Sequence, residues 1–383
     1  RDCLLSRGLG DVYKRQILSN TTNKMKALVV EDINTLTYKD VSIPQINDDE
    51  VLIKVKACGI CGSDIPRVKN NGVHFYPIIV GHEFSGEIVE LGKNVTSYSL
   101  GDRVTAAPLI PCNNCDNCYQ GNPAMCQHYS FIGSRQNGAM AEYVAVPAKN
   151  IVPIADNVTY AQAACIEPIT VAIHGVERAG AIDSGKSAIV YGCGTIGILT
   201  MQCLKAKGLE KIYVIDIDDY KLELAKNLGA YEVLNSTKIN IPEYFNKIGK
   251  VDYVYETAGV NFLQSQVLEL AKKGGHVIYI GTAHKDVTIP AKSFELILRG
   301  ELNVTGSWMS YSAPFPGNEW IAAAEYLQTG KVKVDEIITH KIPLSDGIRA
   351  FNILSNKNNN ALKVMYYICL LYTSPSPRDK RQS

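Results

Sequence analysis

The chain has 383 residues, of which 46% are hydrophobic and 20% are charged, and its formal net charge is +1. This length is enough for two domains, each with its own core. A near-neutral chain without a basic run argues against electrostatic binding to nucleic acids, and no apolar stretch reaches the roughly 18 residues that span a bilayer.

The two ends of the chain have the character of translated sequencing adaptor. Ser6–Gln16 and Cys369–Asp379 can be encoded by opposite strands of one oligonucleotide. We therefore expect residues 1–24 to be an adaptor-derived tail and leader, and residues 369–383 to be a second non-native tail. Residues 1–16 and the second tail carry seven basic and three acidic residues, so their removal changes the formal charge to −3 and leaves nine of eleven cysteines.

The first part of the chain, from the expected natural start at Met25, predicts short strands. Lys26–Val30, Glu50–Ala57 and Glu83–Glu90 are rich in valine and isoleucine and are separated by Gly, Pro and Asn/Asp turns. This pattern indicates a β-rich domain over residues 25–172.

Two segments of this domain predict an open metal site. Cys61 and, further on, the adjacent His82 and Glu83 offer a thiolate, an imidazole and a carboxylate. A zinc ion held by three protein ligands keeps a position for water and substrate, as catalysis requires. Glu167, which precedes a proline in a distant segment, is an alternative third ligand, and the choice between the two glutamates stays open. Taken singly, each residue also has a structural explanation, such as a buried core thiol.

Four cysteines in one polar loop predict a second, closed zinc site. Their spacing is C-x2-C-x2-C-x7-C, formed by Cys112, Cys115, Cys118 and Cys126. Such spacing lets a single loop surround one tetrahedral zinc ion with four thiolates. The alternative, a pair of disulfides, suits small secreted domains. Free thiols beside a thiolate zinc site predict a reducing, cytoplasmic location.

The middle of the chain alternates between strands and helices. The predicted elements are the strand Ser187–Tyr191, the helix Thr195–Ala206, the strand Lys211–Ile215, the helix Asp219–Leu228, and the strands Val251–Tyr255, Val277–Ile280 and Glu301–Val304. This alternation predicts a parallel sheet, and hence the α/β class, over residues 173–308. Residues 309–368 return to a mixed pattern and are expected to pack on the first domain.

A glycine-rich turn between the first of these strands and its helix predicts a dinucleotide site. The motif G-x-G-x-x-G is formed by Gly192, Cys193, Gly194, Thr195, Ile196 and Gly197. The first glycine makes the turn, the second lets the backbone approach a pyrophosphate, and the third permits close helix–strand packing. The helix N-terminus then faces the phosphates.

Asp216, at the end of the second strand, predicts NAD rather than NADP. A carboxylate about 20 residues beyond the glycines can accept both ribose hydroxyls and repels a 2′-phosphate. Alternatively, Asp216 caps the following helix, a role that Asp218 could also fill. Lys221 completes the predicted cofactor-binding residues.

These motifs together resemble the zinc-containing medium-chain alcohol and polyol dehydrogenases, from Met25 to about Ile368. The similarity covers CGICGSD, GHEFSGEIVELG, the four-cysteine loop, EPITVAIHG and GCGTIG. FIGSRQNGAMAEY and GSWMSYSAPFPGNEW are similar to the branch that oxidises galactitol 1-phosphate. The resemblance implies a GroES-like catalytic domain, a Rossmann domain with a doubly wound parallel sheet, and a homodimer or homotetramer.

The family's chemistry is the NAD-dependent oxidation of a secondary alcohol at zinc. The resemblance implies two zinc ions per subunit, one catalytic in the cleft between the domains and one structural in the cysteine loop. The expected substrate is a polyol phosphate, which would give a ketose phosphate as its hydride passes to NAD. Ser63, two residues after Cys61, is expected to relay the released proton, or else only to cap a turn.

Two arginines are candidates for binding the substrate phosphate, because guanidinium groups grip phosphate oxygens bidentately. Arg135 and Arg67 lie in stretches similar to the galactitol 1-phosphate branch, and both are alternatively solvated surface side chains.

Other functions remain open from the sequence. Within the same chemistry, the substrate is alternatively a free polyol such as sorbitol or xylitol, or L-threonine. A zinc-free quinone reductase of the same fold and a non-enzymatic scaffold are further alternatives. Cys61, His82 and the cysteine loop argue against both.

Overall fold

The computed structural model describes residues 23–356 and 360–368. Apart from residues 23 and 24, the predicted non-native tails therefore lie outside the described residues. The first strand begins at Lys24, where it pairs with Ser42.

The first part of the chain is built from short strands and short helices. The strands are β1 (Lys24–Asp32), β2 (Thr35–Ser42), β3 (Glu50–Gly59), β4 (Ile78–Ile79), β5 (Glu83–Leu91), β6 (Arg103–Ala106), β7 (Leu109–Ile110), β8 (Ser130–Phe131), β9 (Tyr143–Pro147) and β10 (Ile151–Pro153). The α-helices are α1 (Asp64–Pro66), α2 (Asp116–Tyr119), α3 (Tyr160–Ala163) and α4 (Ile166–Glu177).

The second part alternates strands and helices and then returns to strands. Its elements are β11 (Ser187–Tyr191), α5 (Thr195–Ala206), β12 (Lys211–Asp216), α6 (Asp219–Asn227), β13 (Glu232–Asn235), α7 (Ile241–Ile248), β14 (Val251–Glu256), α8 (Asn261–Gln266), β15 (Ala271–Tyr279), α9 (Ala291–Arg299) and β16 (Asn303–Gly306). They are followed by α10 (Asn318–Gln328), β17 (Ile338–Pro343), α11 (Gly347–Ser355) and β18 (Lys363–Tyr367).

The predicted parallel sheet is present and has six strands in the order β13-β12-β11-β14-β15-β16. Every neighbouring pair in it is parallel. The strand order reverses between β11 and β14, and doubly wound sheets bind ligands in the crevice at that point. The five buried residues of β11 explain its central position in the sheet.

Most predicted strand boundaries are shifted by one or two residues, and the starts of β15 and β16 differ from the prediction for physical reasons. β15 begins at Ala271, six residues before the predicted Val277, because the polar, glycine-containing start of this strand hides it from a search for apolar runs. β16 begins at Asn303 and not at Glu301, since Glu301 has φ +47°, a left-handed conformation that cannot continue a strand.

The last strand of the chain lies in the sheet of the first domain. That sheet has the order β10-β6-β5-β3-β18-β17, with β9 also paired to β3. β18 runs antiparallel to β3, and Met365 is opposite Gly59. Residues from the end of the chain therefore lie beside the segment that follows β3, which contains Cys61.

Helix α4 belongs to a core cluster that contains residues from both parts of the chain. Ile166 and Ile169 of α4 are fully buried in this cluster, together with Leu199 of α5 and Trp320 of α10. This packing fixes the start of α4, where Glu167 is located. None of the helices in the described part of the chain is both long and apolar enough to cross a bilayer.

Candidate active site

The structure brings together three of the four predicted ligands of the open metal site. The ligand atoms of Cys61, His82 and Glu83 all lie within 4.8 Å of one another. Strand pairing causes this convergence, because Gly59 at the end of β3 is directly opposite Glu83 at the start of β5. A side chain at position 59 would collide with the Glu83 carboxylate.

Both carboxylate oxygens of Glu83 are already bound by a buried lysine. The ammonium group of Lys363 donates to Oε1 at 2.7 Å and to Oε2 at 2.6 Å, and also to the carbonyl of Ile60 at 3.1 Å. Only 3% of Lys363 and 1% of Glu83 are exposed. The short distances to the ligand atoms of Cys61 and His82 therefore favour Glu83 as a metal ligand. Its two carboxylate oxygens, however, already accept hydrogen bonds from Lys363.

Glu167 faces the same group of residues from the first turn of α4. The pKa of its carboxyl is raised to about 8, chiefly by burial; His82 acts to lower it, and Glu83 and Cys61 act to raise it. Burial and the same carboxylate of Glu83 also raise the pKa of the Cys61 thiol to about 11. Several groups that ionise to anions thus share one buried space, and this donor set fits a divalent cation such as zinc.

Asp64 supports this cluster from behind. Its Oδ2 accepts a hydrogen bond from the backbone N–H of Cys61 at 3.1 Å, and its Oδ1 lies 3.6 Å from Nδ1 of His82. That nitrogen is buried and has no hydrogen-bond partner among the described residues. Phe131 packs on the His82 ring at 5.5 Å between ring centroids. A carboxylate behind a ligating histidine orients the imidazole.

The four cysteines of the predicted closed site also converge. Their sulfur atoms lie within 4.8 Å of one another, with Cys115 3.6 Å from Cys118 and 3.9 Å from Cys126. Zinc–sulfur bonds of about 2.3 Å in a tetrahedron require sulfur separations of about 3.8 Å. Backbone N–H groups of Gln127 and Cys118 lower the pKa of Cys115 to about 6, which favours the thiolate. All nine cysteines in the described ranges are free thiols, and this loop fits zinc.

Ser63 and Arg67 interact with each other beside Cys61. Arg67 donates to the Ser63 hydroxyl at 3.2 Å and to Oδ1 of Asp64 at 3.4 Å. The Ser63 hydroxyl also favours the Cys61 thiolate by hydrogen bonding, which lowers the pKa of that thiol against the larger effects of burial and carboxylates. The Arg67 guanidinium is thus engaged within its own loop.

Arg135 lies in a loop that packs directly on the metal cluster. Its guanidinium is exposed and stacks on the Tyr129 ring, 4.4 Å from the ring centroid. Its backbone N–H donates to the carbonyl of Phe131, the residue that packs on His82. A side chain at Gly138 in this loop would collide with the backbone of Gly81. Of the two predicted arginines, Arg135 has the freer guanidinium.

The glycine-rich turn has the geometry that the motif predicts. Gly192 has φ +98°, and a side chain at Gly197 would collide with the carbonyl of Gly192. A Cβ at Gly194, the N-cap of α5, would meet no protein atom within 4 Å, so the space in front of it is open to a ligand. Thr195 and Ile196 form the start of α5. The Thr195 hydroxyl donates to the carbonyl of Leu362 at 3.1 Å.

Asp218, and not Asp216, caps the helix α6. The Asp218 side chain accepts hydrogen bonds from the backbone N–H groups of Tyr220 and Lys221. Asp216 instead accepts from the backbone N–H of Cys193 in the glycine turn, at 2.5 Å. Because Asp218 caps α6, the Asp216 carboxylate remains beside the glycine turn, at the edge of the crevice.

A cavity of about 570 Å³ opens at this crevice. Its lining includes Gly192, Asp216, Lys221, Phe262 and Ala361. Two residues beyond Ala361 is Lys363, whose ammonium group binds Glu83. The start of β18 therefore separates the dinucleotide crevice from the metal cluster, and the two sites are neighbours. A second cavity of about 550 Å³ is lined by residues of β2 and β9 and by Gln136, Asn137 and Gly138 of the loop that contains Arg135.

Two residues of this site, Lys363 and Asp64, were not predicted from the sequence. Lys363 is the one charged residue in the apolar run KVMYY of β18. Because a buried lysine requires an oppositely charged partner, a lysine within an apolar strand pattern predicts a buried ion pair. Asp64 follows Ser63 within the motif that contains Cys61, but its burial is evident only in three dimensions.

Two family models match the chain in succession. The alcohol dehydrogenase GroES-like domain matches residues 47–156, and the zinc-binding dehydrogenase model matches residues 195–328. Together with the sheet topology, these matches confirm the predicted fold class of a GroES-like domain followed by a Rossmann domain.

Relatives that match most of the chain include polyol dehydrogenases. Galactitol 1-phosphate 5-dehydrogenase of Escherichia coli (strain K12) is 39% identical over 321 residues, which are 83% of this chain and 92% of that enzyme. Sorbitol dehydrogenase of Bacillus subtilis (strain 168) is 31% identical over 90% of this chain and 97% of its own length.

A solved structure agrees with these matches. The crystal structure of galactitol-1-phosphate dehydrogenase from Escherichia coli superimposes with a TM-score of 0.85 and 36% identity, covering 90% of this chain and 100% of that one.

Proposed function

Because the chain belongs to the zinc-dependent medium-chain alcohol and polyol dehydrogenases, and is therefore an oxidoreductase, we propose that it oxidises a secondary alcohol of a polyol phosphate with NAD. The product would be a ketose phosphate, as from galactitol 1-phosphate. The observation that carries this proposal is the convergence of Cys61, His82 and Glu83, with Glu167 facing them from α4, next to the dinucleotide crevice.

We propose that Cys61, His82 and Glu167 hold the catalytic zinc and that Glu83 does not. Lys363 donates to both oxygens of Glu83 and neutralises it, whereas no lysine or arginine of the described residues forms an ion pair with Glu167. Bound there, zinc would act as a Lewis acid that lowers the pKa of the substrate hydroxyl. The four cysteines would hold a second, structural zinc.

The residues around Cys61 are suited to remove the substrate proton. Ser63 is exposed beside Cys61, and its hydroxyl oxygen accepts a hydrogen bond from Arg67. In this role Ser63 passes the proton outwards to solvent, while the Arg67 charge disfavours its return. The glycine turn and α5 would orient the cofactor so that the substrate hydride reaches the nicotinamide.

We propose NAD as the cofactor because Asp216 is free of the helix-capping role. Asp216→Ala is expected to shift the ratio of kcat/KM for NAD to that for NADP by about tenfold to hundredfold towards NADP, since charge-assisted contacts contribute about 1.5–3 kcal/mol. Asp219→Ala is the matched control, because it removes a nearby carboxylate that pairs with Lys238 and does not line the cavity. An unchanged ratio in Asp216→Ala would contradict the assignment.

We propose that the Arg135 guanidinium binds the substrate phosphate. It is exposed, and it is positioned by a loop that contacts both Gly81 and, through Phe131, His82. One terminal N–H group donates to the Tyr129 hydroxyl at 3.5 Å, and the other N–H groups of the guanidinium can donate to a phosphate. Arg67 is a second candidate, although its guanidinium is engaged with Ser63 and Asp64.

Arg135→Ala should raise KM for the phosphorylated substrate by about tenfold to hundredfold and leave a free polyol almost unaffected. Steady-state kinetics with galactitol 1-phosphate and galactitol measure the difference. Arg349→Ala removes an equally exposed arginine of α11 and serves as the control. Small, equal effects on both substrates would remove Arg135 from the site.

The substrate class is tested by a panel of polyols, their phosphates and L-threonine with NAD and NADP, followed at the nicotinamide absorbance. A preference for phosphates supports the proposal. A preference for sorbitol or xylitol supports the alternative of a free polyol dehydrogenase, to which the sorbitol dehydrogenase relative also points.

We further propose a homodimer or homotetramer in a reducing, cytoplasmic compartment. β16 ends the six-stranded sheet with an unpaired edge, and the large apolar side chains exposed beside it include Val304, Leu298 and Trp308. An exposed, apolar strand edge is suited to pairing with a second copy. The nine free thiols of the described residues support the proposal of a reducing compartment.

A further inference from the structure

A fully buried glutamate ends the strand β14, next to the dinucleotide crevice. Glu256 is 0% exposed, and no lysine or arginine among the described residues forms an ion pair with it. Charged residues are almost never fully buried unless they are paired. Two residues that follow it, Ala258 and Val260, line the crevice. The position of this carboxylate therefore points to a role in shaping the crevice.

The Glu256 carboxylate holds the loop that follows β14. Its Oε1 accepts hydrogen bonds from the backbone N–H groups of Ala258 and Gly259, each at 2.8 Å. Hydrogen bonds to an ionised acceptor are roughly twice as strong as those between neutral groups. The loop of residues 257–260, and with it the two residues that line the crevice, is therefore held by this side chain.

The same loop is fastened to the glycine turn, across the point where the strand order reverses. The backbone N–H of Thr257 donates to the carbonyl of Tyr191 at 2.9 Å. The Thr257 hydroxyl lies 2.9 Å from that carbonyl oxygen and 3.0 Å from the carbonyl oxygen of Gly192. A side chain at Gly192 would come within 3.0 Å of the Ala258 backbone nitrogen. The loop and the glycine turn are therefore in direct contact, and a shift of one would displace the other.

A second loop, after β15, packs against Glu256 as well. The backbone N–H of Gly281 donates to the Glu256 carbonyl at 3.0 Å, and a side chain at Gly281 would collide with Oε2 of the Glu256 carboxylate. Gly259, which has φ +65°, approaches Thr282 so closely that a side chain would collide with the backbone there. Glycine permits such close approach. The two loops thus enclose the carboxylate, which explains its burial.

We propose that Glu256 is a positioning residue that preorganises the dinucleotide crevice for its cofactor by holding the loop 257–260 against the glycine turn. This inference rests on the proposed function, since it takes the crevice as the NAD site. A loop that is already fixed in its bound conformation loses less conformational entropy when the cofactor binds, and the affinity is higher for that reason. The effect of Glu256 is therefore expected on cofactor affinity and not on zinc binding.

Glu256→Gln and Glu256→Ala test the inference in the whole enzyme. The glutamine keeps the size and an acceptor oxygen but removes the charge, whereas the alanine removes the acceptor. NADH binding is titrated by fluorescence, and KM for NAD, KM for the alcohol substrate, zinc content and thermal unfolding are measured in parallel. We expect the Kd for NADH to rise about threefold to tenfold in Glu256→Gln and about tenfold to hundredfold in Glu256→Ala. KM for NAD should rise with it, while KM for the alcohol and the zinc content stay unchanged.

Asp252→Asn is the matched control, because Asp252 is a carboxylate near the other end of β14. It accepts a hydrogen bond from the backbone N–H of Ser187 at 3.0 Å and pairs with Lys272 at 2.9 Å. Its loss should lower the unfolding temperature and leave the Kd for NADH unchanged. A glutamate with a purely structural role would behave like Asp252.

Two results would overturn the inference alone. An unchanged Kd for NADH in Glu256→Gln would mean that the charged acceptor does not shape the crevice, even if Glu256→Ala fails to fold. Equal weakening of NADH binding in Asp252→Asn would assign the effect to lost stability. In both cases, a wild-type enzyme that binds NADH and oxidises the polyol phosphate leaves the proposed function intact. A wild-type enzyme that binds neither NADH nor NADPH would overturn the proposed function and this inference together.

Discussion

Cys61→Ser is expected to lower kcat/KM by about 10³-fold or more and to leave the thermal unfolding temperature almost unchanged. The reason is that Cys61 belongs to an open donor set whose metal contributes several kcal/mol to the reaction. Its loop is held independently by Asp64 and Arg67. His82→Ala should behave in the same way.

Cys115→Ser, in contrast to Cys61→Ser, should lower the thermal unfolding temperature. It removes one corner of a closed four-sulfur site, where metal binding and folding of the loop are coupled. We expect loss of one zinc and an unfolding temperature lower by about 5–10 °C. Calorimetry and zinc analysis on both variants give the comparison. Similar destabilisation by Cys61→Ser and Cys115→Ser would refute the division between a catalytic and a structural site.

Lys363→Met should lower the free energy of unfolding by about 3–5 kcal/mol. It leaves the buried carboxylate of Glu83 without its cation, and breaking a buried ion pair on one side carries a penalty of this size. Denaturant unfolding followed by fluorescence measures the change. A change below about 1 kcal/mol, as for a surface pair, would mean that the pair is not buried in solution.

The double variant Lys363→Met with Glu83→Gln tests the ligand assignment. A neutral amide needs no buried cation and can donate to the carbonyl of Ile60, which Lys363 now satisfies. We expect most of the lost stability to return and the catalytic zinc to remain bound. Loss of that zinc in the double variant, with retention in Glu167→Ala, would identify Glu83 as the ligand.

The parts of the site that could be predicted from the sequence are those fixed by local spacing. The cysteine loop and the glycine turn each form within a few residues, so their geometry follows from the order of residue types. Asp216 was also predicted from its spacing to the glycines. That Asp218, and not Asp216, caps α6 is evident only from the backbone of that helix.

The remaining features depend on contacts between distant segments. Glu83 and Lys363 are 280 residues apart in the chain, and no local pattern connects them. The proposal of Glu167 over Glu83 as a ligand rests on that contact, which the sequence does not reveal.

The position of β18 has a consequence for the order in which the protein matures during synthesis. Strands β11 to β16 pair across at most about 65 residues, as between β11 and β14, so this sheet can form once its own residues have left the ribosome. The first domain waits for β18, which pairs with β3 across about 300 residues. Until then Glu83 has no lysine beside it, and a nascent chain remains inactive however long its first domain has been exposed.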